Sequence, residues 1–416
     1  MPLGIKPFKG MSKRAYNSPL ARLTIYDGAV RSSKTITALM RWAEWLPEAP
    51  HGTLMVSGKT ERTVKQNLVD PLLDIFPARY VHYSAGNHEL NFLGRKHIIV
   101  GANDERAETK IRGVTLAGVL GDEITLWAES FFKMSLSRMS VPGAVFLGTT
   151  NPDSPVHWLN AEYLQRADEL GLSRVQFTLR DNPYLSPEFV EALSLEYVGL
   201  WRKRYIEGLW VVAEGAVYDM FDPQVCTYEE EDVPHDVKWR AVGIDYGTTN
   251  PTVFLALSGL KDGRLLVHDE WRWDSKKEGR QMTSKEYSDA YFKWREMLHK
   301  KQPAFLQNRV LVDPSANSFI LQLWRDGERL VHGGDNEVLP GIMDLSSLLQ
   351  RKRLVFHAPT TKLAMKEMAS YVWDPEASLK GQDKPMKIAD HAPDALRYAI
   401  RGTRLRWKTE LMGAES

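Results

Sequence analysis

The chain has 416 residues, 43% hydrophobic and 26% charged, the balance of a water-soluble protein with room for two or three domains at about 150 residues each. Lys and Arg number 54 against 53 Asp and Glu, so the net charge of +1 gives no overall argument for a nucleic-acid partner, which would have to rest on local clusters. There is no run of about 18 apolar residues, no apolar stretch at the N-terminus, and Cys226 is the sole cysteine; the expectations are therefore no membrane span, no export, a cytosolic location, and no disulfide framework or multi-cysteine zinc site.

In chain order, LTIY at 23–26 reads as a buried strand, GAVRSSKT at 28–35 as a tight loop, and the residues from Lys34 as a helix with apolar residues at helical spacing. Strand, loop, helix is the order of a phosphate-binding loop, in which backbone N–H groups and a helix N-terminus face the phosphates. Lys34 then reaches the β- and γ-phosphates and Thr35 holds Mg²⁺. Ser33 stands where the pattern G-x-x-x-x-G-K-[ST] has its last glycine, so an ordinary strand-to-helix turn remains the alternative.

A strand at 52–58 and an amphipathic helix at 61–76 follow, then strands near 80–84, 89–93, 97–101, 114–123 and 144–152, an alternation that points to a parallel sheet. The segment 155–208 reads as mainly helical, a lid on that sheet. Asp122 and Glu123 end the 114–123 strand and supply the pair such a site needs, one acid to order Mg²⁺ and one to polarise the attacking water. The 52–58 strand falls between loop and acids, as expected where an additional strand separates them in the sheet. Thr149, Thr150 and Asn151 end the next strand with polar groups that can sense a γ-phosphate, and Arg31 and Arg112 are the candidates for meeting developing charge. Turn formers and surface arginines are the alternatives for these residues.

From about 209 to 237 the composition becomes turn-rich and, at 229–232 (EEED), acidic, which marks a linker. Three strands follow at 237–247, 251–259 and 264–273, a meander, then a helix near 283–300, a strand at 309–315, a helix at 316–326, a strand at 353–357, and helices at 360–371 and 391–404. Asp245 and Asp313 each close an apolar strand, and Asp394 lies at the start of the last helix with His391 just before it. Singly, each is a turn former or helix cap. Together they can converge on paired Mg²⁺ or Mn²⁺ ions, which take oxygen ligands and suit in-line displacement at phosphorus. His391 can activate water or support the metal site, while Asp390 is the nearest other carboxylate and is expected to cap the helix. The polar, basic stretch 373–391 suits a loop beside a DNA backbone or a plain surface excursion; the clusters at 201–205, 351–353 and 401–408 are open to the same two readings.

GAVRSSKT, GDE at 121–123, TTN at 149–151, the junction 205–221, VGIDYG at 242–247, VDPSA at 312–316 and DHAPDALRYA at 390–399 together resemble the large terminase subunit of tailed bacteriophages, over nearly the whole chain. The H-x-x-D-A-x-R-Y pattern of the last motif is the most specific, and the family often replaces the last loop glycine and carries an arginine at the position of Arg31. The resemblance implies an α/β protein, an additional-strand P-loop NTPase domain over 1–208 with its lid at about 155–208, a linker over 209–236, a ribonuclease H-like nuclease domain over 237–405 and a tail over 406–416. It implies ATP bound by Gly28, Ala29, Val30, Arg31, Ser32, Ser33, Lys34 and Thr35, with Thr149 and Asn151 near the phosphates, Thr35 and Asp122 on Mg²⁺, and Glu123 as general base. Asp245, Asp313 and Asp394 become ligands of two Mg²⁺ or Mn²⁺ ions, with His391 adjacent. Implied partners are double-stranded DNA, a portal protein, a small terminase subunit and further copies in a ring on the procapsid in the host cytoplasm, with no membrane. The adenine-binding residues stay unassigned. An ATPase-nuclease of DNA repair or recombination and a non-enzymatic DNA-binding assembly factor are the rival functions.

Overall fold

The computed structural model describes residues 6–103, 105–228, 237–247, 250–301 and 307–414. The acidic stretch at 229–232 lies outside them. The chain divides into two compact units: the first runs to Ser194 and takes in Leu200–Val212 and Leu379–Gln382, and the second takes in Leu195–Gly199, Ala213–Ser378 and the chain from Asp383.

The first unit is built on eight strands, β1 (Leu23–Gly28), β2 (Thr53–Gly58), β3 (Val81–Ser84), β4 (Glu89–Phe92), β5 (Arg95–Gly101), β6 (Leu116–Gly121), β7 (Val145–Thr150) and β8 (Ser173–Phe177). Their order across the sheet is β3-β4-β5-β2-β6-β7-β1-β8, antiparallel through β3, β4 and β5 and parallel from β5 to β8. β1, β6 and β7 are buried along their whole length, as parallel strands covered on both faces must be. The helix Lys34–Trp45 contributes Leu39, Trp42 and Trp45 to the core on one face; Phe131 and Phe132 of the helix Glu129–Arg138 pack with Ile25 and Phe146 on the other.

Two features depart from the expectations above. The strand between β1 and β6 is β7, not β2, which lies on the far side of β6; the polar end of β7 therefore sits between loop and acids. Within 155–208, Ser173–Phe177 forms β8, an edge strand in which only Phe177 is buried, so its sequence lacks the apolar run that marks the inner strands. Arg174 on β8 pairs with the fully buried Asp27, 2.7 Å from Nη2 to Oδ2, and Trp210 Nε1 donates to the same oxygen at 3.0 Å.

In the second unit β9 (Thr227–Tyr228), β10 (Val237–Asp245), β11 (Thr252–Leu260), β12 (Leu265–Trp273), β13 (Gln307–Val312), β14 (Val331–Gly333) and β15 (Leu354–His357) form a sheet in the order β14-β13-β10-β11-β12-β15-β9. β10, β11 and β12 are the antiparallel meander, and β13 runs parallel to β10. Three helices of this unit are not expected from the sequence, Pro375–Leu379, Arg404–Ala414 and the longest, Val338–Gln350, whose first turn carries Pro340 and Gly341. Proline there removes only an N–H that has no intrahelical acceptor.

Candidate functional site

At the end of β1, Gly28 has φ +138°, and a Cβ there would fall 1.9 Å from the Phe177 carbonyl oxygen; only glycine lets the loop leave the strand beside β8. The amides of Ala29 and Val30 donate to the carbonyls of Phe177 and Tyr205, both at 2.8 Å. Anion-facing donors must therefore come from the next residues, Arg31 to Thr35, all of which line a cavity of about 610 Å³. Ser33 adopts φ 70°, a left-handed conformation that glycine takes at little cost, immediately before the helix at Lys34.

Lys34 is buried, and its Nζ donates to the Ala29 carbonyl at 2.9 Å and to Asn151 Oδ1 at 2.6 Å. Burial pulls its pKa down to about 8, against the opposing pull of Asp122, Glu123 and Asp27. Asp122, at the end of β6, accepts from Thr149 Oγ1 at 2.5 Å and from Asn67 Nδ2 at 2.9 Å. Glu123 follows in a left-handed conformation with φ 52°, and burial, aided by the neighbouring Asp122 charge, raises its proton affinity. Val30, Thr149, Thr150, Asn151, Asp122 and Glu123 all line the same cavity. Arg31 is there too, exposed; Arg112 is not in its lining and pairs with Glu108 at 2.6 Å on the surface.

Two parts of this site were not foreseen. Asn67 lies in a π-helical turn, Lys65–Val69, that interrupts what the periodicity predicts to be one helix over 61–76. Pro71 is the cause in sequence: its ring collides with the carbonyl four residues back, that of Asn67, and widening the turn accommodates it. Next to the loop, a second cavity of about 350 Å³ is walled by Phe8, Ile36, Ile75 and Tyr184, with Lys6, Lys9 and Ser33 at its edge. Tyr184 donates its hydroxyl proton to the Pro7 carbonyl, and Lys6 Nζ stands 4.9 Å from its ring centroid.

In the second unit the register Ile244↔Val312 sets Asp245 and Asp313 side by side where parallel β10 and β13 end. The helix His391–Gly402 crosses β10 at Gly243, where a Cβ would fall 1.9 Å from the Ala395 carbonyl oxygen, and this close approach brings Asp394 over the strand ends. His391 Nδ1 lies 2.9 Å from Asp245 Oδ2. Burial lifts the Asp245 pKa to about 6, while His391 is also raised, its own burial being outweighed by the hydrogen bond and charge of Asp245. The Tyr398 phenol, one turn on from Asp394 along the same helix, is buried, and burial raises its proton affinity. Asp390 occupies the N-cap position but caps nothing with its side chain; its Oδ2 faces Lys387 Nζ at 3.1 Å. The expected cap is thus part of the charge cluster.

Among the described residues no three His, Cys, Asp or Glu side chains already stand at metal-holding distances. The donor set nevertheless fits a hard divalent cation: oxygen ligands from two strand ends and a helix, with a lysine ammonium already drawn to Asp394 at 3.0 Å. No helix among the described residues is long and apolar enough to cross a membrane.

A phosphate-loop sheet with an additional strand between loop and acids, followed by a ribonuclease H-like sheet with carboxylates at its strand ends, defines a two-domain ATPase-nuclease. No family model matches the sequence, and no curated protein does. Among solved structures, the large terminase of a thermophilic bacteriophage is 34% identical, with a TM-score of 0.82 over 96% of this chain and 100% of that one. The same protein in complex with ADP gives 33% and 0.78 over 96% and 100%, and in complex with ATPγS 34% and 0.77 over 94% and 98%. The chain belongs to the large terminase subunits of bacteriophages, enzymes of DNA packaging and cutting. Membership separates it from the repair ATPase-nucleases and from non-enzymatic assembly factors.

Proposed function

We propose that the cavity around Lys34 binds and hydrolyses ATP with Mg²⁺, and that Asp245, Asp313 and Asp394 form the centre that cuts double-stranded DNA with two Mg²⁺ or Mn²⁺ ions. The observation that carries this reading is the hydrogen-bonded set Lys34–Asn151 and Thr149–Asp122–Asn67 around one open cavity, with Glu123 beside it. The complexes of the thermophilic phage enzyme with ADP and ATPγS support it. On nucleotide entry Lys34 exchanges Asn151 and the loop carbonyl for phosphate oxygens, which leaves Asn151 free to report occupancy. Thr35 and Asp122 hold Mg²⁺, and Glu123, with its raised proton affinity, takes the proton of the attacking water. Arg31 meets the γ-phosphate, and the apolar cavity between Phe8, Ile36, Ile75 and Tyr184 receives the base.

In the second unit, divalent ions held by the carboxylates would neutralise charge on the phosphodiester under attack. His391 orients Asp245 through Nδ1. Further copies form a ring on the procapsid portal in the host cytoplasm, and a small terminase subunit selects the DNA.

The two centres can be separated in purified protein. Lys34→Ala should lower ATP turnover by at least about 10²-fold and leave Mn²⁺-dependent nicking of plasmid intact; Asp245→Asn should do the reverse. Nicking by Asp245→Asn at the unmodified rate would remove the nuclease assignment.

A further inference from the structure

The charges of the second-unit centre are balanced within the chain in two different ways. Arg397 is buried on the same helix as Asp394 and lies 3.2 Å from its Oδ1, a fixed part of the packing. Lys387 comes from an irregular segment ahead of that helix, and its side chain is 67% exposed, whereas those of Asp390 and Asp394 are 9% and 8% exposed. An exposed, flexible stem thus reaches in and sets its ammonium 3.1 Å from Asp390 Oδ2 and 3.0 Å from Asp394 Oδ2. Ammonium is a compact point charge with no required geometry, so it can stand where a metal ion would and leave without repacking. A divalent ion on Asp394 and the ammonium on the same carboxylate would sit within a few ångströms of each other, and the repulsion forces one of them out.

We propose that Lys387 is a tethered counter-ion that occupies the outer side of the nuclease centre, competes with divalent ions for Asp394, and so sets their affinity. The inference rests on Asp245, Asp313 and Asp394 being the metal ligands. It gives the lysine two duties. Without metal it bridges Asp390 to the free oxygen of Asp394, whose other oxygen Arg397 already holds; with metal it swings outward, a motion its exposed stem permits.

The test uses the full chain without nucleotide and follows Mn²⁺ binding by isothermal titration and by the electron paramagnetic resonance signal of free Mn²⁺. The binding that disappears in Asp245→Asn defines the centre. Lys387→Met keeps most of the stem and removes the charge, and should bind Mn²⁺ at this centre roughly tenfold more tightly than the unmodified chain, with a larger rise in Tm on Mn²⁺ addition. Lys387→Gln serves as a second variant with the same expected direction. Equal or weaker Mn²⁺ binding in both variants overturns the role of Lys387 while leaving the metal centre standing. If Asp245→Asn changes Mn²⁺ binding in none of these backgrounds, the metal-ligand reading itself fails, and the inference with it.

Discussion

Both units gather carboxylates at the ends of parallel strands and set a lysine against them, yet the two lysines are built differently. Lys34 is buried at the start of a helix and fixed by the Ala29 carbonyl and Asn151, whereas Lys387 is an exposed side chain on irregular backbone. A lysine held by the fold is positioned for a ligand that arrives beside it; a lysine held only by its ion pairs can yield its place. The acids differ in the same sense. Burial raises both, but at Glu123 the neighbouring Asp122 charge adds to it, which suits proton transfer, whereas at Asp245 the His391 hydrogen bond opposes it and a bound cation would remove the remaining cost.

The two centres should separate most strongly at Glu123. Glu123→Gln preserves size and removes the base, so ATP turnover should fall by about 10²–10⁴-fold, while ADP still raises the Tm and nicking of DNA with Mn²⁺ is unchanged. Phosphate release within threefold of the unmodified rate would mean that another group takes the proton.

A smaller effect separates the acid of the second unit. Because the Asp245 pKa is about 6 in the folded chain against an ordinary 3.8, the folded state holds its proton more tightly. That contribution is complete below pH 3.8 and is lost as pH rises through about 6. In the absence of metal, the stability of the second unit should fall from pH 4 to 7 by roughly 1–3 kcal/mol more than that of Asp245→Asn, read as the difference in urea midpoints. Parallel pH profiles for the two proteins would show that Asp245 carries no such penalty.

The sequence carried the parts of these sites that depend on local pattern. Gly28 to Thr35, Asp122 and Asp245 are each fixed by a strand that ends and a turn or helix that begins, which periodicity reveals. What escaped depends on distant partners. The order of β7 and β2 about β6 is set by sheet pairing, and nothing in either strand's own residues encodes it. β8 carries polar residues on its exposed side and reads as loop or helix until β1 is beside it. Asn67 needs the π-turn that Pro71 imposes, and Lys387 needs the fold to bring it back onto Asp390 and Asp394.

The smallest effect is expected at the residue that first made the phosphate loop look incomplete. Ser33 has φ 70° and ψ 5°, a conformation that costs a side chain about 1–2 kcal/mol and glycine almost nothing. Glycine, however, loses about 0.5–1 kcal/mol more backbone entropy on folding. The two terms nearly cancel, and the carbonyl of residue 33, which accepts from both the amide and the hydroxyl of Thr37 at 2.9 and 2.8 Å, belongs to the backbone and is unaffected. Ser33→Gly should therefore change the Tm by no more than about 4 °C and leave ADP affinity and ATP turnover within threefold. A tenfold loss of turnover at unchanged Tm would show instead that the Ser33 hydroxyl, at the boundary of the two cavities, touches the nucleotide; the serine would then be a working member of the loop in place of the glycine.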